Sequence, residues 1–491
     1  MKTRYYTLTL LVLLLTGFSC TNSLELTPVS QISANSFWQT EADVQGGLYG
    51  MYVRLRGQAQ NNLFVWGEGR SDVMDFGIEG AANFQRYFQN TLDRNFAGPD
   101  WLGMYTLIHD ANLILKNVPA ISFSTPAAKN NVLAQAYATR AFAYFVLVRT
   151  WGDVPLVTEP TEGYNDQTNL KPRAPRAEVF SLIKKDLDQA LLLFADNSLP
   201  TGRSIWSKPA TNALKADVYL WTGKQAAGGN ADFTTALNAL NDIATADVTL
   251  LANFASIFDY ANKGNKEILI AVRFLDKELT TNGYSTMYIR DDQIPRATDA
   301  ATKALILTGG GSNNWAPSAL VRRQFNADDQ RKNASLVEIF TYDAAGRPTY
   351  YGSLSLKFKG FLLAGIRQFL DDVVLYRYAD VLLMKAEAKN ALGQDPAPEI
   401  NQIRKRAYGA ASDKYLFVNG TKAQNDEAIL QERLLEMIFE GKRWWDLIRF
   451  GKAFEKVPSL QNRVGRESLL LFPLSENVLS LSPAIVQNPG Y

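Results

Sequence analysis

The 491-residue chain holds a single cysteine, Cys20, and a single histidine, His109. One cysteine excludes a disulfide within the chain, and one His with one Cys cannot assemble a zinc site of the imidazole and thiolate kind. Ser-His-Asp or Cys-His catalysis would have to run through His109 alone. Charge of one sign is also missing: 51 Lys and Arg face 49 Asp and Glu, a formal net charge of +2. Without a basic excess to release phosphate counterions, the chain has no electrostatic footprint for a nucleic-acid partner. Walker, dinucleotide-binding and EF-hand patterns are absent from the sequence, so no cofactor and no obligatory metal are expected. No apolar run reaches the roughly 20 residues that a membrane-spanning helix needs. Hydrophobic residues make up 46% and charged residues 20%, the balance of a globular protein. The 49 acidic residues leave only carboxylate-pair catalysis, as in a glycosidase, formally open.

The amino terminus has a layout of its own. Lys2 and Arg4 precede a mainly apolar run from Tyr5 to Leu15, and small or uncharged residues lead on to Cys20, as in a secretory signal. The box Leu15-Thr16-Gly17-Phe18-Ser19-Cys20 resembles a bacterial lipoprotein cleavage site, with Gly17 where leucine is usual. That resemblance implies removal of residues 1–19 and acylation of Cys20. Burial adds about 0.8 kcal/mol per methylene, so two acyl chains already hold a protein on a membrane. Residues 20–36 are polar with one proline and read as a tether. The expectation is a protein held at a membrane surface and facing a non-cytoplasmic space.

Residues 37–491 read as one mainly α domain. In Ala134–Val148, apolar residues at 134, 138, 141, 142, 145 and 148 mark one helix face, and the alanines admit a close neighbour. A second helix is expected at Ala177–Phe194. Helix pairs follow at Lys208–Gly223 with Asp232–Ala244, and at Tyr378–Leu392 with Ala397–Tyr408, the latter joined by Gly393-Gln394-Asp395-Pro396. Their size is that of tetratricopeptide repeats, of about 34 residues, and they read as degenerate copies, mainly within 130–245 and 375–450. Stacking of such pairs buries their apolar faces.

Residues 262–362 differ. Ile268–Val272 reads as a buried strand, and Val337–Tyr342, Asp343–Gly346 and Thr349–Lys359 as a hairpin. Alternation of Leu354, Leu356 and Phe358 with Ser353, Ser355 and Lys357 predicts a half-buried strand. Between them, Thr280–Asn314 is a long polar loop of the kind that carries binding function. Near the carboxyl terminus, Glu432–Arg449 reads as one ion-paired helix, its Glu432, Glu436 and Glu440 each within a turn of an arginine. His109 reads as a packed or hydrogen-bonded side chain, and Asp328-Asp329-Gln330-Arg331 as a solvated turn.

Six blocks in order give the sequence a recognisable likeness. They are Phe37–Asp43; Trp101–Tyr105 with Ile108–Asn112; Arg140–Phe145 followed by Gly152–Val157; Arg377–Ala388; Glu432–Arg449; and Gln487-Asn488-Pro489-Gly490-Tyr491. Together they resemble the SusD/RagB family of surface lipoproteins in Gram-negative outer membranes. The resemblance implies a SusD-like domain of tetratricopeptide-type helix pairs and a smaller irregular region with short strands. It also implies capture of an oligosaccharide or polysaccharide, or less often a peptide, and delivery without chemistry to a SusC-like TonB-dependent transporter. The family blocks would then serve folding and docking.

Ligand contacts are expected elsewhere, in two irregular stretches. Sugar rings have apolar C–H faces that stack on aromatic side chains. Asp72–Phe96 offers Phe76, Asn83, Phe84 and Tyr87; Tyr284–Trp315 offers Tyr284, Tyr288 and Trp315. Convergence of Phe76, Phe84, Tyr288 and Trp315 into an aromatic platform would favour a glycan; a cleft of backbone donors and charges would favour a peptide.

Overall fold

Local capping chemistry sets where the helices start. The computed structural model describes residues 37–80, 83–163, 170–278 and 281–491; the signal segment, Cys20 and the tether lie outside them. Helix α1 (Glu41–Ala59) opens on a capping box, in which Thr40 Oγ1 accepts from the Asp43 amide at 3.2 Å and Asp43 accepts from the Thr40 amide at 2.8 Å. After α2 (Leu102–Asn117), α3 (Pro126–Trp151) starts at Thr125, with Pro126 where an amide N–H would have no partner, and stops at Gly152 in the left-handed region. Its Ala134, Ala138 and Ala141 are fully buried, and α4 (Arg176–Leu193) packs along it.

The helix pairs expected from the sequence are present. Helices α5 (Lys208–Gln225) and α6 (Gly229–Asp242) cross so closely that a Cβ on Gly223 would lie 2.4 Å from the Phe233 ring. Both pack on α7 (Tyr378–Ala391), which turns into α8 (Ala397–Tyr408) through Gly393 at φ +74°. The helices thus stack side by side around one large core.

Besides the two-residue pair Val154–Pro155 and Arg173–Ala174, the described residues form the short strands β1 (Met74–Phe76), β2 (Ile268–Val272), β3 (Trp315–Pro317), β4 (Leu336–Tyr342), β5 (Pro348–Ser355), β6 (Phe361–Leu363), β7 (Ile366–Gln368) and β8 (Val373–Arg377). They pair antiparallel in twos: β1 with β3, β2 with β8, β4 with β5, and β6 with β7. The fully buried β2 matches the apolar run that announced it. His109 Nδ1 accepts from the Thr161 amide at 3.2 Å, a hydrogen-bonded side chain as expected.

Three expectations are corrected. Ser353–Phe358 is not half-buried: Ser353, Ser355 and Lys357 are as enclosed as Leu354, Leu356 and Phe358. Asp328–Arg331 is not a solvated turn, because Asp329 and Arg331 are buried against the carboxyl-terminal helix region. Glu432–Arg449 is not one helix. Helix α9 (Lys422–Met437) ends, Phe439 and Gly441 take φ of +67° and +72°, and α10 (Arg443–Arg449) begins after them. The break is held by Glu68, whose carboxylate accepts from the amides of Phe439 (2.6 Å), Gly441 (2.6 Å) and Lys442 (3.3 Å). Burial pushes Glu68 up to about 8 against those three donors, which favour its ionised form. Beside it, a Cβ on Gly67 would stand 1.9 Å from the Gly441 carbonyl oxygen, so this approach requires glycine.

Asp446 pairs with Arg449 one turn on at 2.9 Å, as expected, but Glu432, Glu436 and Glu440 find partners far away in sequence, not within a turn. Arg377 bonds Glu267 and Glu436 at 2.7 Å each and forks onto Glu440 at 2.8 and 2.9 Å. Arg331 bridges Asp329, Glu432 and Glu436; Arg406 joins Glu267 to Glu436; Lys357 holds Glu440 at 2.8 Å; and Arg404 completes Glu432. Burial pushes Glu436 upward, yet Arg406, Arg377 and Arg331 together hold it well below the usual carboxylate range. Glu440, likewise opposed by burial, is brought to about 2 by Arg377 and Lys357. A carboxyl depressed in the folded state contributes stability that is complete above its unfolded value, near 4.3, and is lost as pH falls through its folded value. Urea midpoints are therefore expected to fall steeply between about pH 4 and pH 2. Arg377→Met is expected to cost about 3–5 kcal/mol in urea unfolding at neutral pH, since it strands buried carboxylates. A loss below about 1 kcal/mol would show that the network is dispensable.

Candidate glycan-binding face

Pairing of β1 with β3 brings the two candidate stretches together, with Phe76 opposite Trp315, Asp75 opposite Ala316 and Met74 opposite Pro317. The base of this pair is fixed from below. Arg443 of α10 forks onto Asp72 at 2.8 and 2.9 Å, and the Ser318 hydroxyl donates to the Asp72 carbonyl at 2.6 Å.

The aromatics proposed from sequence divide into a floor and a rim. Trp315 is 0% exposed: Phe84 lies 4.5 Å and Phe64 5.2 Å from its ring, and its Nε1 donates to Thr286 Oγ1 at 2.9 Å. Tyr87 is buried beside it, its phenol pushed up to about 12 by that burial. Tyr284 is buried between Phe64 and Phe358, and its hydroxyl donates to the Phe439 carbonyl at 2.9 Å, tying the floor to the α9–α10 break. Tyr288 belongs to a separate small core with Phe369, under Arg367, and donates to the Ile306 carbonyl at 2.7 Å. The expected platform of Phe76, Phe84, Tyr288 and Trp315 is therefore not formed as such. Rings that pack this well and bond their polar atoms are enclosed by their neighbours. Phe76 reaches solvent, 51% exposed, resting on Phe88 at 5.2 Å. Asn83 is exposed at φ +79°, and Phe84 is half-buried between floor and rim.

Sequence reasoning missed the other half of the rim, the β4–β5 hairpin. Asn313 clasps it to the segment just after β1: its Oδ1 accepts from the Ile78 amide at 2.7 Å, its Nδ2 donates to the Ser353 carbonyl at 3.1 Å, and its own carbonyl accepts from the Glu79 amide. The hairpin then presents Tyr342, Tyr350 and Tyr351 to solvent. Tyr350 meets Phe340 edge-on at 6.0 Å and donates to Ser353 Oγ at 3.0 Å, while the Arg322 guanidinium lies 4.0 Å over its ring. Glu338 accepts from Arg322 at 3.4 Å and pairs with Lys332 at 3.0 Å. Burial raises the Tyr350 phenol, and the Glu338 and Asp75 carboxylates add to that effect. The signal that could have found this rim was the run of aromatics at 340, 342, 350 and 351 inside the expected hairpin.

Chemically, the face offers aromatic surface flanked by guanidinium, carboxylate and amide groups, a set suited to binding a polar ligand with apolar patches. Among the described residues, no group of three or more His, Cys, Asp or Glu is placed to hold a metal, and no helix is long and apolar enough to cross a membrane.

Comparison with known proteins gives this architecture relatives. A family model described as "SusD family" matches residues 364–491, and one described as "Starch-binding associating with outer membrane" matches residues 24–220. SusD-like protein P38 of Formosa agariphila is 30% identical over all of this chain and all of its own. The chain belongs to the SusD family. Among solved structures, B. fragilis NanU is 33% identical with a TM-score of 0.85, covering 94% of this chain and 99% of NanU. A SusD superfamily protein from Bacteroides vulgatus is 32% identical with a TM-score of 0.83, covering 92% of this chain and all of its own. The blocks that carried the likeness now have physical roles in this SusD-family chain. Arg140 forks onto Asp186 at 2.8 Å, Arg377 and Glu436 centre the ion network, and Asn488 donates to the carbonyls of Trp151 and Phe472.

Floor and rim separate in a stability measurement. Trp315→Ala is expected to cost about 3–5 kcal/mol of unfolding free energy, as for large core aromatics. Phe76→Ala is expected to cost less than about 1 kcal/mol. Equal losses in urea unfolding would contradict the division.

Proposed function

We propose that this SusD-family chain is a cell-surface lipoprotein that captures an oligosaccharide or polysaccharide on the face formed by β1 and the β4–β5 hairpin. It then passes the glycan, chemically unchanged, to a SusC-like TonB-dependent transporter in the outer membrane. The observation that carries the reading is the pair of exposed rings, Phe76 on β1 and the Arg322-capped Tyr350 on the hairpin that Asn313 ties to the segment after β1, with Asp75 and Glu338 close to Tyr350. Ring faces match the C–H faces of a sugar, and the charged groups match its hydroxyls. Asn83 and Phe84 extend this surface, while Tyr87, Tyr284, Tyr288 and Trp315 act by supporting it. The description of the matching family model, starch binding with outer-membrane association, supports the same reading. Cys20 supplies the lipid anchor.

Isothermal titration against a panel of plant, host and microbial glycans tests this. A glycan is expected to bind, and Phe76→Ala and Tyr350→Ala each to weaken it by about tenfold, the lower end of what burial of an aromatic side chain contributes. Silence across the panel with binding of peptides would favour peptide cargo. Release of hydrolysis products on prolonged incubation would favour a glycosidase.

A further inference from the structure

Residues Tyr49, Val53 and Arg56 of α1 follow one another at i, i+4 and i+7 and so form one stripe of the helix. That stripe lines a cavity of about 270 Å³ closed on the other side by β2 and the segment after it, with Arg273 and Glu278. The cavity shares no residue with the aromatic face. Arg56 is 7% exposed, donates through Nη1 to Glu278 at 2.7 Å, and leaves its buried Nε without a partner among the described residues. Arg273, half exposed, donates through Nη2 to the other oxygen of Glu278 at 2.7 Å. Two guanidinium groups thus share one carboxylate, and the cluster keeps an excess positive charge. Tyr49, 64% exposed, and Val53 give the mouth an apolar edge. Tyr52 fixes the wall, since its hydroxyl donates to Gln135 at 2.8 Å and accepts from the Trp206 amide at 2.9 Å.

We infer that this cavity is a second ligand site, which takes a small carboxylate-bearing sugar ring. Its carboxylate pairs with Arg56 and Arg273 in the planar manner that guanidinium favours, and its ring lies along Tyr49. The volume lies just under the usual range for small-molecule sites, which begins at about 300 Å³, and suits one ring rather than a chain. Glu278 holds the two arginines in place when the site is empty and competes with the ligand when it is not.

Saturation-transfer NMR titrations of the purified protein with sodium D-glucuronate, and with D-glucose as the uncharged control, test the site. Glucuronate is expected to bind and glucose not to. Arg273→Gln is expected to weaken glucuronate about tenfold, the effect of one charge-assisted hydrogen bond, and Tyr49→Ala to weaken it several-fold. Glu278→Gln is expected to tighten it, which a merely structural role for Glu278 would not produce. Phe76→Ala is expected to leave glucuronate binding unchanged, so failure here and failure of the glycan-binding face are distinguishable. Absence of glucuronate binding, equal binding of glucose, loss with Phe76→Ala, or indifference to Arg273→Gln would each overturn the assignment.

Discussion

The ion network around Arg377 and Glu436 is the constraint on which the rest of the molecule depends. It joins β2 through Glu267, β8 through Arg377, the end of the β4–β5 hairpin through Lys357, α8 through Arg404 and Arg406, and the α9–α10 break through Glu440. Five cations and five carboxylates, nearly all without solvent contact, neutralise one another. Buried pairs add little net stability over apolar packing, because desolvation offsets their attraction. Their effect is selective: any arrangement of these segments that leaves one partner alone carries a large penalty. A cluster of this kind fixes which elements meet and in what geometry.

That fixity reaches the aromatic face through short links. Glu68 holds the α9–α10 break open; Tyr284 bonds the carbonyl of Phe439 within it; and Arg443, just past it, grips Asp72 at the root of β1. Trp315 and its neighbours then form a packed floor, and Asn313 sets the hairpin beside β1. Phe76 and Tyr350 stand on a support that does not need to move to present them. Preorganisation of this kind lowers the ordering cost that binding would otherwise incur.

Much of the fold was legible because its causes are local. The alanines of Ala134–Val148 and the Gly393–Pro396 turn act within a few residues of themselves, and the helices they mark are present, although α3 begins at Pro126, ahead of the stretch those alanines marked. The apolar run of β2 spoke equally plainly. What stayed hidden has causes far off in the chain. Nothing near Ile438 announces that Glu68 will accept its neighbours' amides, although Gly441 was a visible cue. Asp329 and Arg331 look like surface residues until Glu432 and Glu436 are set beside them. The candidate site was half legible. Its two stretches do converge through β1 and β3, but an aromatic residue suits a core and a sugar platform equally, and sequence could not assign Trp315 to one and Phe76 to the other. Tyr350 sits on a hairpin strand, where an aromatic residue reads as scaffold as readily as ligand surface.

The proposed arrangement, a rigid floor carrying a ligand-binding rim, has a distinct signature in amide hydrogen exchange, recorded with and without a glycan that binds. Added protection is expected in residues 72–80 and 336–352, with residues 429–449 strongly protected and unchanged in both states. Protection that appears instead along α2 to α4, or exchange in 429–449 that slows only when glycan is present, would contradict a preformed site built on the ion network.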